Sequence, residues 1–386
     1  MFMGQVTIQA EALLPHLLNH GYEVTVVSTH GNWCTKIADT DIPVFNLYES
    51  NRTSLLFNGP LENYRKHAYY SLAKKVDLKD NKLKQIVNEA KPDIIYGSWG
   101  SQSLPEIGLA QKFNVPTAYE FLTYPVSSNI LTEKIENFFN KPVVNDLDGR
   151  VFSTQRMSNY IKSKFDPPAG ENMVLMECYP EKFYFGKRLP LLSESDGQPH
   201  IVFIGMDVDE VFPQIKEIAS RKIHVHIVEP TEAGWNENGT GDPTIRVGSD
   251  NSGFIHQFKR FSADDIADGT LATFLTQFDA CLVTYNFWSA SSLNRFANSI
   301  PSRFSIALLA GIPIIVPEGY LKGCEDVIEE HNIGFAYKSY SELSNKLYDK
   351  KVLNLCQNNS VNNSKFFSLE SNFGKIDKFI KRIINY

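Results

Sequence analysis

The segment 298–319, with the sequence NSIPSRFSIALLAGIPIIVPEG, constrains the fold more than any other part of the chain. Pro301 suits a helix start because its φ is fixed and it lacks an N–H group. Gly311 can close that helix before the apolar run 312–316. The predicted helix has one apolar face, formed by Phe304, Leu308 and Leu309. The pattern predicts a loop, a helix and a buried strand, and a helix that begins beyond a strand attracts anions.

Strands and helices alternate along the rest of the chain. The predicted strands are 23–27, 93–96, 117–121, 149–152, 200–204, 222–228, 254–258, 278–284, 312–316 and 334–337. Alternation of this kind favours parallel sheets with helices on both faces. The predicted fold class is α/β, with two doubly wound, Rossmann-like domains in tandem.

Two stretches interrupt or end this pattern. Prolines and glycines break it over 166–199, which predicts a linker between domains 1–165 and 200–369. The end of the chain, 370–386, has an amphipathic helical pattern with lysines opposite its apolar face. Such a helix can pack on its own protein or lie on an anionic membrane surface.

Composition excludes several classes of protein. A length of 386 residues is enough for two domains with full cores. The net charge of −6 supplies no basic field, so we expect no nucleic-acid partner. The five cysteines are odd in number and widely spaced, which is typical of reduced cytosolic thiols. No signal segment or membrane-length apolar run occurs, so we expect a cytoplasmic protein whose membrane contact is at most peripheral, at the inner face.

Four segments resemble one enzyme family. Residues 278–284 (FDACLVT) and 298–319 are similar to the D-x-G-L-V-P and N-x-x-P-x-K-x-x-E-Y-L-A-A-G-x-P-V-V motifs in the nucleotide-sugar half of retaining "group 1" GT-B glycosyltransferases. Residues 93–99 (DIIYGSW) resemble the family's D-V-I-H-G-H-W, and 116–125 resemble P-V-V-Y-D-V-H-E-L-Y-P. The resemblance implies two domains that face a cleft, with the terminal helix packed back on the first.

The same resemblance implies a first strand of about ten residues before the first helix. That helix is predicted to begin at Gln5, so only the residues 1–5 remain for the strand. We therefore expect the first strand to be missing and the natural gene product to be about ten residues longer.

The resemblance also assigns candidate residues. Donor phosphates need backbone N–H groups, helix dipoles and cations. The donor-binding candidates are Gly4, Gln5, Gly205, His256, Tyr285, Asn286, Asn298, Ser302 and Arg303. In the first domain, Glu120 is the catalytic candidate, because an ionised carboxylate in an otherwise apolar strand needs a partner or a ligand. Ser98 and Trp99 are the acceptor-binding candidates, although a tryptophan at a strand end is as commonly a core residue.

The chain departs from the family at the donor site. Asn298 and Ile306 replace the family's two cleft glutamates, and Met206 and Val211 replace an arginine and lysine pair. The leading interpretation is a metal-independent glycosyltransferase of polysaccharide biosynthesis. It would use a nucleotide-diphosphate sugar and a glycan or lipid-linked acceptor, with no cofactor. The alternative is a non-catalytic GT-B homologue that binds a partner transferase or a glycan. A nucleotide-sugar epimerase would need more cleft carboxylates than the sequence offers.

Histidines alternate along one predicted strand. His224 and His226 share a face of the strand 222–228, but no third ligand stands at a fixed spacing from them. We therefore predict no metal site.

Overall fold

The secondary structure is that of an α/β protein. A computed structural model describes residues 1–4, 8–28, 40–47, 81–99, 104–167, 170–205, 208–228, 253–257 and 261–385. The strands are β1 Phe2–Gly4, β2 Val26–Ser28, β3 Val44–Asn46, β4 Ile95–Trp99, β5 Thr117–Phe121, β6 Gly149–Phe152, β7 Glu171–Val174, β8 His200–Ile204, β9 His224–Val228, β10 Ile255–Gln257, β11 Ala280–Leu282, β12 Ile314–Pro317 and β13 Gly334–Tyr337.

The helices fall between these strands. They are α1 Ile8–Asn19, α2 Asn81–Ala90, α3 Leu104–Ala110, α4 Ile130–Asn145, α5 Gln155–Phe165, α6 Ser193–Asp196, α7 Val208–Ala219, α8 Ala263–Ala267, α9 Thr270–Leu275, α10 Asn294–Asn298, α11 Ser302–Ala310, α12 Lys322–His331, α13 Tyr340–Tyr348, α14 Lys350–Ser364 and α15 Leu369–Ile384. Among the residues described, no helix combines the length and the apolar character that crossing a bilayer requires.

The chain forms two compact units. Unit 1 comprises 1–177, 291–299 and 372–386, and unit 2 comprises 178–290 and 300–371. Each unit contains one parallel sheet. The strand order is β3-β2-β1-β4-β5-β6-β7 in unit 1 and β10-β9-β8-β11-β12-β13 in unit 2. The predicted fold class of two doubly wound α/β domains is confirmed.

The first strand is present, which corrects the expectation that it is missing. Phe2–Gly4 pairs with Val26–Ser28 on one side and with residues 96–98 of β4 on the other. Phe2 and Met3 are buried. A strand this short lacks a periodicity that sequence analysis can detect, and its hydrogen bonds come from two neighbours that are distant in the chain.

The predicted linker 166–199 contains regular structure. Its residues Glu171–Val174 form β7, which pairs with β6 at the edge of the unit 1 sheet. Its side chains alternate between half-buried and exposed, as expected for an edge strand. The flanking prolines and glycines concealed this strand in the sequence.

The helix α11 and its boundaries follow the sequence signal closely. Pro301 is the N-cap, and Gly311 ends the helix with a left-handed φ of 58°. The N–H of Gly311 donates to the Leu308 carbonyl. The predicted apolar face is fully buried, and β12 follows directly.

The terminal helix α15 packs on unit 1 from residue 372 onward. Its apolar face is buried and consists of Phe373, Ile376, Phe379, Ile380 and Ile383. The Tyr22 hydroxyl donates to the Asp377 carboxylate at 2.7 Å. A Cβ on Gly149 of β6 would lie 2.2 Å from Ile383 Cδ1 and 2.7 Å from Phe379 Cζ. Protein therefore covers the face that would otherwise be available to a membrane.

We expect Gly149→Ala to loosen α15 and Gly374→Ala to leave it in place. The added methyl at Gly149 meets two side chains of the helix and lies 3.2 Å from Ala118 Cβ, so overpacking should cost about 1–3 kcal/mol. Gly374 is exposed on the same helix with nothing within 4 Å of its added Cβ, so the same substitution should stabilise by roughly 0.5–1 kcal/mol. Hydrogen exchange of 372–384 measures both effects, and equal protection in the two variants would contradict this packing.

Candidate functional site

The strand order of unit 2 reverses between β8 and β11. The chain passes from β8 to β9 on one side and reaches β11 on the other, although β8 and β11 are hydrogen-bonded neighbours. In doubly wound sheets, ligands bind beyond the carboxyl ends of the strands at such a reversal. Gly205 follows β8, and Thr284 and Tyr285 follow β11, so three polar or flexible positions meet there.

Arg303 contributes a cation to this crevice. Its Nη1 donates to the Thr284 carbonyl at 3.1 Å. The guanidinium lies 4.4 Å from the ring centroid of Tyr285 and 5.0 Å from that of Phe203. Contacts of this kind are worth about 0.5–2 kcal/mol each, so they fix the position of the charge and offset part of its desolvation.

Gly205 is placed against the same guanidinium. A Cβ at this position would lie 3.0 Å from Arg303 Cζ and 3.0 Å from Nη2. The backbone φ is 156°, and the Gly205 N–H donates to the Val228 carbonyl at 3.0 Å. Gly205 therefore lets the backbone after β8 approach the cation closely.

Gln214 of α7 holds the β11 side of the crevice. Its Nε2 donates to the Tyr285 carbonyl at 3.0 Å, and its Oε1 accepts from the Thr284 hydroxyl at 2.8 Å. Gln214 is not among the candidate residues predicted from the sequence. Its spacing from Val211, Ile215 and Ile218 places it on the buried face of α7, and a polar residue on such a face is the signal that could have identified it.

The start of α11 adds a second positive contribution. The N-cap Pro301 makes no side-chain cap hydrogen bond, and the first turn contains no acidic residue. The positive end of the helix dipole is therefore not compensated by an acid of its own first turn. Ser302 is exposed and Arg303 is half-buried at this helix end.

A second group of candidate residues forms a row across the unit 1 sheet. Gly4, Ser98 and Glu120 are register partners on the adjacent strands β1, β4 and β5. The row crosses the pair β1 and β4, where the strand order of this sheet also reverses. Ser98 Oγ donates to Glu120 Oε2 at 3.0 Å, and both residues are buried. Trp99 is the next residue and ends β4.

Other candidates lie elsewhere. His256 of β10 contacts the imidazole of His224 at 2.8 Å and does not join the Arg303 group in the described contacts. Asn298 belongs to unit 1, where its carbonyl accepts a hydrogen bond from the Thr154 hydroxyl. Asn286 is half-buried directly after Tyr285. Gln5 lies outside the described residues.

Two buried side chains limit the chemistry of unit 2. Ile306 is 7% exposed inside α11, so it offers the crevice neither charge nor a hydrogen bond. Burial raises the pKa of the Cys281 thiol to about 12, although Arg303 opposes the shift. Cys281 is therefore a neutral core residue at physiological pH and not a thiolate nucleophile.

We expect Gln214→Ala to destabilise unit 2 by about 1–3 kcal/mol, because the Tyr285 carbonyl and the Thr284 hydroxyl lose a half-buried partner. Gln357→Ala is the matched control, since Gln357 is also a half-buried helical glutamine of unit 2. Urea unfolding of both variants gives the comparison. Equal stabilities would show that Gln214 does not support the crevice.

Comparisons with known proteins bear on the fold. No protein-family model matches the chain, and no curated protein matches it in sequence. Many solved structures match the chain, among them three that match over essentially the whole of both chains. Sucrose-phosphate synthase from Thermosynechococcus elongatus is 12% identical with a TM-score of 0.66 and covers 100% of this chain and 99% of its own. A glycosyltransferase from Rickettsia africae is 13% identical with a TM-score of 0.61, and the match covers 99% of this chain and 98% of that protein.

The third is Anabaena HepE in complex with UDP, which is 12% identical with a TM-score of 0.60 and covers 99% of each chain. Identities this low carry no information about chemistry. The agreement over both units nevertheless shows that this chain has the GT-B fold of these proteins.

Proposed function

We propose that this protein is a glycosyltransferase that uses a nucleotide-diphosphate sugar as donor. The observation that carries the proposal is the position of Arg303 at the strand-order reversal of unit 2, between the carboxyl ends of β8 and β11. The solved structure of Anabaena HepE contains UDP, and it has the same fold.

The proposed donor site neutralises the diphosphate without a metal ion. A guanidinium carries five N–H donors in a planar fork, which suits it to hold the Thr284 carbonyl and a phosphate together. The start of α11 at Ser302 adds backbone N–H groups and a helix dipole. These charges stabilise the nucleotide leaving group in the transition state, which is where electrostatic preorganisation contributes most.

The proposed nucleoside contacts come from the loop after β11. Tyr285 and Asn286 flank this strand end and offer a hydroxyl and an amide to ribose or base. Gly205 leaves room for the phosphates beside Arg303. Asn298 and Ile306 stand where the resembling family has glutamates, so in this chain ribose recognition falls to the loop residues.

In unit 1, the proposed acceptor site is the row that contains Ser98 and Glu120. Glu120 is 3% exposed and accepts a hydrogen bond from Ser98. An ionised carboxylate can take a proton from an acceptor hydroxyl as a general base. We also propose Trp99, which ends the same strand as Ser98, as the residue that stacks on a sugar ring.

The proposed acceptor is a glycan or a lipid-linked sugar of polysaccharide biosynthesis. We place the reaction in the cytoplasm, at the inner face of the membrane when the acceptor is lipid-linked. No nucleic acid takes part, because the net charge of −6 opposes binding to a polyanion.

We expect Arg303→Ala to weaken nucleoside diphosphate binding about 10- to 150-fold, the equivalent of the 1.5–3 kcal/mol of a charge-assisted hydrogen bond. Arg221→Ala is the charge-matched control, because Arg221 pairs with Glu217 on the surface of unit 2. Calorimetry with UDP and TDP measures both variants. An Arg303→Ala protein that binds as tightly as the Arg221→Ala protein would remove Arg303 from the donor site.

We expect Glu120→Gln to lower kcat by about 10²- to 10⁴-fold, the usual contribution of a general base, while the Kd for the nucleotide stays unchanged. Glutamine keeps an oxygen that accepts the Ser98 hydrogen bond. Glu136→Gln is the control, since Glu136 is also buried in unit 1 and accepts the N–H groups of Val126 and Ser127. Release of nucleoside diphosphate from UDP- and TDP-sugars measures turnover.

The alternative function, a non-catalytic GT-B homologue that binds a partner transferase or a glycan, is favoured by the burial of Ile306 at a family glutamate position. Nucleotide binding and turnover, measured as above, distinguish the enzyme from the non-catalytic homologue. Nucleotide binding without turnover in the unmodified chain would support the non-catalytic alternative, whereas turnover that falls in Glu120→Gln but not in Glu136→Gln supports the enzyme.

A further inference from the structure

Four histidines cover one face of the unit 2 sheet. His224 and His226 are on β9, with His200 on β8 and His256 on β10. Register pairs His200 with His224, and His226 with His256, so all four side chains project from the same face. Their rings stack, with centroids 4.2 Å apart for His200 and His224 and 4.5 Å apart for His226 and His256.

A carboxylate meets two of these imidazoles. Asp196 Oδ2, at the end of α6, lies 3.0 Å from His200 Nε2 and 3.2 Å from His224 Nε2. The three ligand atoms lie within 4.8 Å of one another. Tetrahedral zinc with bonds of about 2.0–2.1 Å separates its ligand atoms by roughly 3.4 Å, so small side-chain shifts admit the ion.

We propose that Asp196, His200 and His224 form a Zn²⁺ site, with a water molecule as the fourth ligand. Imidazole and carboxylate are ligands that zinc prefers. The Asp196 side chain is 36% exposed, whereas those of His200 and His224 are 8% and 14% exposed. The ion therefore enters from the aspartate side, and the histidines hold it against the sheet.

The remaining histidines supply the outer contacts of the site. His200 Nδ1 lies 2.8 Å from His226 Nε2, and His224 Nδ1 lies 2.8 Å from His256 Nε2. A zinc-bound imidazole usually donates its other ring N–H to an acceptor, which fixes the ring and raises its basicity. His226 and His256 are placed to accept these two bonds.

Metal binding reverses the direction of the hydrogen bond within each of the two imidazole pairs. Without the ion, an acceptor-only Asp196 carboxylate requires an Nε2–H on His200 and on His224, so their Nδ1 atoms accept from His226 and His256. With the ion, each Nε2 is a ligand and each Nδ1 becomes the donor. The four neutral rings keep one proton each, but all four change tautomer.

The site is distinct from the proposed donor site. His200 begins β8 and Gly205 follows its end, so about 16 Å of extended chain separates these two residues. Zinc therefore takes no part in the proposed transfer. It ties α6, which precedes the sheet, to β8 and β9, in addition to the hydrogen bond from Ser193 Oγ to Asp279 at 2.7 Å.

The test uses the full chain, freed of metal with a chelator and titrated with ZnCl₂ alone. We expect binding of one ion per chain and a higher Tm. Asp196→Asn should weaken binding at least tenfold. Glu194→Gln is the matched control, because it removes the same charge from an exposed residue of the same helix, and it should bind as the unmodified chain does.

A second readout excludes binding at another histidine pair, such as His16 and His20 of unit 1. The ¹⁵N shifts of His200, His224, His226 and His256 should all move to the opposite tautomer with one ion bound. Failure to bind zinc, equal binding by Asp196→Asn and Glu194→Gln, or unchanged tautomers would each overturn the site. These outcomes are independent of nucleotide binding and turnover, which test the proposed function.

Discussion

Parallel pairing of strands that are distant in the chain is the constraint on which the rest of the structure depends. In unit 2, β8 pairs with β9 and with β11, and the connections to these two strands run in opposite directions across the sheet. The chain therefore leaves the carboxyl ends of β8 and β11 in opposite directions. Gly205, Tyr285 and Arg303 lie at the space that this divergence creates.

The cation in that space is held by the strands themselves. Arg303 stacks on Phe203, the penultimate residue of β8, and on Tyr285, just beyond β11. Phe203 and Leu282 are register partners, so the same pairing that builds the sheet sets the distance between the two sides of the guanidinium. A charge restrained in this way loses little freedom when it binds a phosphate, which is the physical basis of preorganisation.

The sequence predicts best those elements whose signals are local. The strands 117–121, 149–152, 200–204 and 334–337 have the predicted bounds, because each is an apolar run between clear breaks. The end of α11 at Gly311 is equally local, since it depends on one left-handed residue. The short β1 and the edge strand β7 have no comparable signal, and only pairing with distant strands defines them.

Side-chain clusters are also easier to predict when their members are close in sequence. The position of Ser302 and Arg303 at a helix start could be predicted because one short segment contains both. Gln214, in contrast, bonds a carbonyl and a hydroxyl that lie 70 or more residues away in sequence. His224 and His226 show their shared face in the sequence, but Asp196 and His200 join them only through the pairing of β8 with β9. The family resemblance makes His256 a donor-binding candidate, but strand register places it beside His226.

The two ends of β8 therefore lie next to different polar groups. Its carboxyl end approaches a guanidinium through Gly205, and its first residue presents an imidazole to a carboxylate. One strand can carry both groups because its residues from Ile201 to Ile204 are buried and apolar. Their close packing fixes the positions of the two strand ends. Ile306 is buried within α11 and Asn298 lies in unit 1, so neither departure from the family motif disturbs the pairing of the unit 2 strands. Because a fold does not determine a function, the proposed function depends on the residues around Arg303 and not on the sheet that holds them.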